Sequence, residues 1–415
     1  MNCVAGSFTK DATNVDGATN TIALAFAPSA VRFIWTAQTA FGSFSADCII
    51  GEGYSDGTND WAVCSSSDDA ADPTDCNRYH TNAAAILILT NAGAETCRAS
   101  ITFSGNDIVV TWDNNDANAF VISYMAWGGV SAKVGSFTAK TTTGTQARTG
   151  IGFTPVCGFT CNVSDDTAPP VGDSQAVFCS GFQGAAGGGL GGTTNKAQHI
   201  WGGAEDNQGT SDSAGQVPVA NAEYWIGGAN VKSGSWTVNG AAHVVSWDAD
   251  GWTEDWETAA ANAFHYGYLV LGGDISVYVD KGTVPLATGT QQRTGYGFLP
   301  KGVCTLAKGS TSTGVTVDFS VGLGMASGAA AERAVLGLDN DGAAAAEADM
   351  RCENDAVILM GTAGTPALTD EAALSSFDAD GLTLDWVTVS GSAKHWSAMA
   401  FGDGALGRSQ VYVIG

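Results

Sequence analysis

Apolar residues in this chain occur in short runs that are separated by polar clusters. The runs are rich in Val, Ile, Phe, Tyr and Trp, and the clusters are rich in Gly, Asn, Asp and Ser. Residues 84–89, 108–112 and 264–271 are examples of such runs. Short apolar runs bounded by turn-forming residues are typical of β-strands. No long stretch repeats its apolar positions every 3.6 residues, so the pattern predicts an all-β protein and not a helical bundle or coiled coil.

One predicted strand recurs three times with the same order of side-chain sizes. The residues on one of its faces are Val121, Ser123, Met125 and Trp127, then His265, Gly267, Leu269 and Leu271, then His395, Ser397, Met399 and Phe401. This recurrence is expected of one packed face that is filled in the same way three times. The opposite face is also largely apolar. The strand is therefore predicted to lie between two layers, as in a β-sandwich or a jelly roll.

Two sequence blocks also recur, which indicates an internal repeat. The opening block reads GTQARTGIGFTP at residues 144–155 and GTQQRTGYGFLP at residues 289–300, and a divergent copy lies at residues 17–28. The closing block reads WDADGWTEDW at 247–256 and FDADGLTLDW at 377–386. The equivalent segment of the first unit, residues 103–112, reads FSGNDIVVTW. We therefore predict three tandem β-sandwich domains of a jelly-roll-like unit, at residues 1–138, 139–285 and 286–415, each of ordinary domain length.

Composition and charge exclude several classes of function. The chain has 42 acidic and 17 basic residues, a formal net charge of −25, and cannot offer the basic surface that duplex nucleic acid requires. A hydrophobic content of 44% is enough for a folded core. No run of 18 apolar residues predicts a membrane span. The first residues, Met1 to Val4, do not have the pattern of a secretory signal, so we expect assembly in the cytoplasm.

The ten cysteines contain no C-x-x-C pair, and a zinc site is therefore not predicted. Most of the thiols are expected to be small buried side chains. The alternative concerns Cys64 and Cys76, which flank an acidic loop at residues 68–72 and could close it with a disulfide.

The closing block carries six aspartates that have two interpretations. Their side chains could gather oxygen atoms around Ca²⁺. Alternatively, the Asp-Gly pairs form hairpin turns whose aspartates bond to the turn itself. The first unit has Ser104, Asn106 and Asp107 in this region, which favours the turn. The aspartates are Asp248, Asp250, Asp255, Asp378, Asp380 and Asp385.

Five aromatic residues in the variable stretches also have two interpretations. Flat aromatic faces beside Asn and Asp suit carbohydrate, and such residues could form a ligand site or an interface. Alternatively they belong to the core, which is the interpretation that the sequence favours. The residues are Tyr54, Trp61, Trp201, Tyr224 and Trp225.

No enzyme is predicted. The paired carboxylates recur with the repeat, whereas catalytic pairs usually occur once. His265 and His395 occupy a position where the first unit has Val121, which indicates a packing role. No G-x-S-x-G motif accompanies the histidines. Arg148 and Arg293 of the opening block are expected to lie on a strand or turn and to pair with nearby acids.

The opening and closing blocks together resemble a repeat of virion structural and appendage proteins from tailed bacteriophages. This resemblance implies a non-catalytic virion protein that decorates the capsid or forms part of a head or tail appendage. Its implied partners are copies of itself and other virion proteins. The first unit departs from the motif and is a candidate attachment end. The alternative is a carbohydrate-binding adhesin that contacts a host-surface glycan as a receptor-binding protein.

Assembly with other chains is also predicted from the two apolar strand faces. Three small sandwiches in a row have a high ratio of surface to volume. They would leave part of this apolar surface unburied, and we expect that surface to mark contacts with copies of the chain or with other virion proteins.

Overall fold

The computed structural model describes residues 1–185, 187, 188, 197–216, 224–229 and 236–404, and within these residues it contains strands and no helix. The prediction of an all-β protein is confirmed. The last residues of the third predicted unit, 405–415, and most of a Gly-rich stretch in the second unit lie outside the described residues.

The strands follow one another in three similar series. The first series is β1 (Asn2–Thr9), β2 (Thr19–Ala23), β3 (Ala30–Thr36), β4 (Ser45–Ala46), β5 (Cys48–Ser55), β6 (Asp60–Ser67), β7 (Cys76–Thr81), β8 (Ile86–Leu89), β9 (Glu95–Ser104), β10 (Asp107–Asn114) and β11 (Val121–Gly128). The second is β12 (Ser131–Thr138), β13 (Gly144–Thr149), β14 (Pro155–Asn162), β15 (Val171–Ser174), β16 (Ala176–Gly184), β17 (Gly187–Gly188), β18 (Ala197–Ala204), β19 (Ser213–Gln216), β20 (Ile226–Ala229), β21 (Val238–Asp248), β22 (Gly251–Thr258) and β23 (His265–Gly272). The third is β24 (Ile275–Thr283), β25 (Gly289–Thr294), β26 (Pro300–Ala307), β27 (Thr316–Val317), β28 (Phe319–Ala326), β29 (Glu332–Asp339), β30 (Ala348–Glu353), β31 (Ile358–Thr362), β32 (Ala367–Asp378), β33 (Gly381–Thr388) and β34 (His395–Asp403).

Each series builds one large and one small sheet. The large sheets have the orders β1-β11-β3-β5-β6-β7-β15, β12-β23-β14-β16-β18-β19-β27 and β17-β24-β34-β26-β28-β29-β30-β4. The small sheets have the orders β2-β10-β9-β8, β13-β22-β21-β20 and β25-β33-β32-β31. A large and a small sheet pack face to face as a sandwich, for example through Phe33, Ile86 and Trp112 in the first pair.

The chain passes from one sheet pair to the next through a very short connection. Strand β12 pairs along its whole length with β23, and β24 pairs with β34. Strands β12 and β24 therefore lie in the large sheets of the second and third pairs, although all of their residues precede the predicted boundaries after residues 138 and 285.

Four short strands are exchanged between the sheet pairs: β17 of the second series adds to the third pair beside β24, and the other three form a closed cycle. Strand β15 of the second series adds to the large sheet of the first pair beside β7. Strand β27 of the third series adds to the second pair beside β19, and β4 of the first series adds to the third pair beside β30. The first pair thus receives a strand from the second, the second from the third, and the third from the first. The three pairs form a closed ring with approximate three-fold symmetry.

Each large sheet packs one apolar face against its small sheet and turns the other, its second apolar face, toward the other large sheets inside this ring. Trp127, Phe159 and Phe401 meet there, with ring centroids 5.4–6.0 Å apart. Leu269 and Leu271 are fully buried in the same core. The expectation that these second faces mark contacts with other chains is wrong, because the ring buries them within the chain. Among the described residues, the large apolar side chains that stay exposed are Val15, Val245, Leu286, Leu299, Val315, Val317 and Val387.

Three acidic loops close one end of the ring. They connect β6 to β7, β18 to β19 and β29 to β30. Each loop hydrogen-bonds to the other two through its backbone: Ala70 donates to Ala346, Thr74 to Gln208, and Gly342 to Ser211. All three bonds have N···O distances of 2.7–2.9 Å. This end of the ring is therefore held by the backbone of all three sheet pairs.

Candidate functional site

The predicted aspartate turns connect the closing block to the opening block by hydrogen bonds. We call this contact, between one aspartate and two backbone N–H groups, the clasp. The carboxylate of Asp250 accepts hydrogen bonds from the backbone N–H groups of Gly150 and Gly152, at 3.0 and 2.6 Å. Both glycines have positive φ, 86° and 87°, which explains why the opening block has glycine there. These backbone hydrogen bonds lower the pKa of Asp250. The clasp explains why the opening and closing blocks recur together, since each needs the other.

The third pair repeats the clasp. Asp380 accepts hydrogen bonds from the backbone N–H groups of Gly295 and Gly297. Asp378 accepts 2.8 Å hydrogen bonds from the hydroxyl groups of Ser376 and Thr383, within its own hairpin.

The other predicted calcium candidates lie in the same hairpins. Asp248 accepts hydrogen bonds from the hydroxyl groups of Ser246 and Thr253. Asp255 and Asp385 lie on β22 and β33 opposite the threonines of the opening block. Within the described ranges no three His, Cys, Asp or Glu side chains are grouped so that they could hold a metal ion. The geometry fits the turn interpretation.

The two arginines of the opening block obtain a carboxylate partner in different ways. On β13, Arg148 contacts Glu254 of β22 at 2.6 Å. On β25, Arg293 contacts Asp280 of β24 at 2.7 Å. The third pair has Leu384 where the second has Glu254, and its acid lies instead on β24 of the large sheet. Both arginines lie on strands and pair with acids, as expected.

Four of the five candidate aromatic residues are inaccessible. Tyr54, Trp61, Trp201 and Trp225 have a relative exposure of 0%, and only Tyr224 is partly exposed. They lie on or beside strands whose faces are both covered, so a ligand in solvent cannot stack on their rings. These four side chains belong to the cores and not to a surface site.

Two of the five histidines meet at the junction of the first and second pairs. The rings of His80 and His265 lie 5.7 Å apart and perpendicular. The Nε2 atom of His80 bonds to the carbonyl oxygen of Thr167 at 3.1 Å. Burial lowers the pKa of His80 to about 4, so this ring is neutral at pH 7. His395 is remote from this pair and bonds to the carbonyl oxygen of Thr311.

All ten cysteines are free thiols, and nine of them are buried. Cys64 and Cys76 are not bridged. Burial raises the pKa of Cys64 to about 12. The acidic loop between them is closed instead by the backbone bonds of the ring.

A polar pocket of about 450 Å³ lies where the first sheet pair meets β12 of the second. Buried Trp61 and Ile101 lie at its inner side, and exposed hydroxyl and amide side chains form its rim. We call it the junction pocket. Its lining residues are Gly57, Thr58, Asn59, Asp60, Trp61, Asn82, Ala83, Ser100, Ile101, Thr102, Gly135 and Ser136.

The hairpin between β5 and β6 that borders the junction pocket is held in one conformation. Asp56 accepts hydrogen bonds from the backbone N–H groups of Thr58 and Asn59, at 3.0 and 2.7 Å. Its other oxygen accepts one from Val134 of β12 at 2.9 Å. The same aspartate therefore shapes the hairpin and fastens it to the second sheet pair. Such pre-organisation reduces the entropy cost of binding a ligand.

One carboxyl group of the junction pocket has an altered acidity. Asp60 accepts a hydrogen bond from the backbone N–H of Ile101 at 3.0 Å. Burial raises the pKa of Asp60 to about 6. Among the residues that the structure describes, no lysine or arginine lines the pocket. It therefore offers hydroxyl, amide and carboxyl groups, and no cationic side chain.

Sequence reasoning missed the junction pocket, although a signal was present. Residues 56–59 of the first unit read DGTN, whereas the corresponding hairpin of the third unit, residues 327–331, reads SGAAA. A polar turn in one copy of a repeat and an alanine-rich turn in another indicates that the polar side chains are not required by the fold.

The ring also contains a buried carboxyl group where all three sheet pairs meet. Asp339 of β29 accepts hydrogen bonds from the hydroxyl groups of Ser67 in the first pair and Ser211 in the second. Burial raises the pKa of Asp339 to about 7. Ser67 and Asp339 end corresponding strands, so this polar contact joins equivalent positions of two units.

Comparison with known proteins assigns neither a family nor a function to this chain. No protein-family model matches the sequence, and no curated protein matches it significantly. No helix among the described residues is long and apolar enough to cross a membrane.

Proposed function

We propose that this chain is a non-catalytic virion structural protein of a tailed bacteriophage, which decorates the capsid or forms part of a head or tail appendage. The resemblance of its repeated blocks to phage virion proteins supports this role. In this proposal the protein is assembled in the host cytoplasm and works beside copies of itself or other virion proteins.

The observation that carries the proposal is the closed exchange of β4, β15 and β27 between the three sheet pairs. Strand exchange and a shared core make one compact body from three repeated units. Such a body presents three similar outer faces around one axis, which suits a symmetric assembly with many like contacts. Its net charge of −25 opposes contact between identical chains, so a less acidic shell or tail protein is the favoured neighbour.

The proposal is tested by particle composition. Phage particles are purified on a density gradient, and the chain is quantified by mass spectrometry against the major capsid protein. The proposal expects the chain to stay with intact particles at a fixed ratio through repeated gradients. A soluble phage enzyme from the same lysate serves as the control and should be lost. Recovery of the chain only in the particle-free fractions would contradict the proposal.

A second candidate function is a carbohydrate-binding adhesin, and the junction pocket favours it. The rim of this pocket carries the side chains of Thr58, Asn82, Thr102 and Ser136, whose hydroxyl and amide groups suit sugar hydroxyls. Binding of the fluorescently labelled chain to host cells, measured with and without enzymatic removal of the surface glycans, tests this function. An adhesin binds intact cells and loses that binding with the glycans. Equal binding to both would exclude it.

A further inference from the structure

The junction pocket is concave and polar, and two units build it. It has a volume of about 450 Å³, within the range of small-molecule sites. One wall comes from β6, β9 and the hairpin at residues 56–59, and the other from Gly135 and Ser136 of β12. Sites at the junction of two domains are common, because a cleft forms there without disturbing either core.

The lining chemistry selects a class of ligand. Thr58, Asn82, Thr102 and Ser136 are exposed at the rim and carry groups that both donate and accept hydrogen bonds. Sugar hydroxyl groups also donate and accept, so each can be matched by such side chains. An apolar ligand would find little apolar surface at this rim.

Charge excludes an anionic ligand. In the described part of the chain no cationic side chain lines the junction pocket, and Asp60 is part of it. Asp56 lies directly beside it and is engaged in the hairpin. A phosphate or carboxylate group would therefore meet negative charge without a counter-ion. A neutral polyhydroxylated ligand meets no such penalty.

We infer that the junction pocket binds a neutral oligosaccharide unit through the side chains of Asn82, Thr102 and Ser136. This inference rests on the second candidate function and names its site and ligand class. Among the hairpins that the structure describes, only the hairpin of the first unit at residues 56–59 borders such a site. The corresponding turn of the third unit, residues 327–331, consists of small residues.

The test uses the full chain and isothermal titration calorimetry. The probes are a panel of neutral oligosaccharides of glucose, galactose and N-acetylglucosamine, and one sialylated oligosaccharide. The inference expects saturable binding of at least one neutral probe, and weaker binding of the sialylated one. The double variant Asn82→Ala, Thr102→Ala should weaken binding about tenfold or more, since it removes two hydrogen-bonding groups.

Two bulky variants separate the site from the rest of the surface. Ala83→Trp places a large ring in the junction pocket and should abolish binding. Ala329→Trp makes the same change on the third unit's hairpin at residues 327–331, which corresponds to the hairpin at 56–59, and should leave binding unchanged. Both positions are exposed, so both variants should keep the thermal unfolding of the wild type.

Three results would overturn the inference. They are the failure of every neutral probe to bind, preferential binding of the sialylated probe, and binding that survives Ala83→Trp. Success or failure here is distinct from the cell-binding test, because soluble sugar binding does not require that the glycan occur on the host. If the chain binds a neutral probe at this pocket but does not bind host cells, the proposed site is supported and the adhesin function is contradicted.

Discussion

Arg32 and Glu52 form an ion pair with an N···O distance of 2.6 Å in the core that the three large sheets share, and both side chains are completely buried. The guanidinium carbon of Arg32 also lies 5.1 Å from the ring centre of Phe159, which belongs to the second unit. The hydroxyl group of Tyr54 donates a hydrogen bond to the same carboxylate at 2.8 Å. A charged cluster from one unit thus lies at the centre of an otherwise apolar core.

The first prediction concerns this pair. Removing one member leaves an unpaired buried charge, so Glu52→Leu should lower the free energy of unfolding by about 3–5 kcal/mol. The third unit has Cys304 and Leu323 at the positions of Arg32 and Glu52. An uncharged cluster is therefore compatible with this core. The triple variant Arg32→Met, Glu52→Leu, Tyr54→Phe should regain most of the loss in a urea titration. A triple variant as unstable as Glu52→Leu would contradict this account.

The second prediction concerns the clasp at Asp250. Asp250→Ala should speed hydrogen–deuterium exchange at the amides of Gly150 and Gly152, because their acceptor is gone. Asp250→Asn should have a smaller effect, since its amide oxygen can still accept. Asp255→Ala, at a partly exposed strand position, is the matched control and should leave these amides unchanged. Equal exchange in all four proteins would show that the clasp does not hold the block.

The third prediction concerns Trp201, which lies 6.2 Å from Trp236 and donates a hydrogen bond to Gln216 at 3.0 Å. Because its side chain is fully buried, Trp201→Ala should cost about 3–5 kcal/mol of stability. Tyr224→Phe, at a partly exposed position, should cost far less. Chemical denaturation measures both. An unchanged midpoint for Trp201→Ala would return this residue to the list of surface candidates.

The fourth prediction concerns pH. The pKa of Asp339 is raised to about 7 by burial, so its carboxyl group favours folding while protonated. That contribution is fully present below the ordinary aspartate pKa of about 3.9 and is lost as the pH rises through about 7. Asp339→Asn keeps the group neutral. The variant should therefore gain stability relative to the wild type between about pH 5 and about pH 8.

Asp403 provides the control of opposite sign. Its pKa is lowered, chiefly by the hydrogen bond from Lys301. Its contribution is therefore lost only as the pH falls through its lowered pKa, and the difference between Asp403→Asn and the wild type should stay constant over the same range. Urea titrations at each pH measure both differences. A constant difference for Asp339→Asn would contradict the assigned burial effect.

The strands and the repeat could be predicted because their signals are local. The alternation of side chains along a strand and the Asp-Gly turns are both visible in short stretches of sequence. The two repeated blocks are also short and continuous. The clasp between Asp250 and Gly152 was not predicted, because it joins residues that are far apart in sequence.

The closed ring could not be predicted, for two physical reasons. The exchanged strands are only two to four residues long, and β4 (Ser45–Ala46) is too short to show any alternation. In addition, the sequence pattern of an apolar second face is the same whether that face is covered by another chain or by the same chain. Tyr54 and Trp61 likewise looked like loop residues, because they flank the polar turn at 56–59. The sequence did place a charge in the apolar strand at Arg32, which was a usable signal of the ion pair.

The most direct test of the proposed role is a cryo-electron microscopy map of the native phage particle. The account predicts density for a ring of three β-sandwiches with approximate three-fold symmetry, repeated on the capsid or on a head or tail appendage, into which the described residues fit. A complete map whose capsid, head and tail densities are all accounted for by other proteins would contradict it.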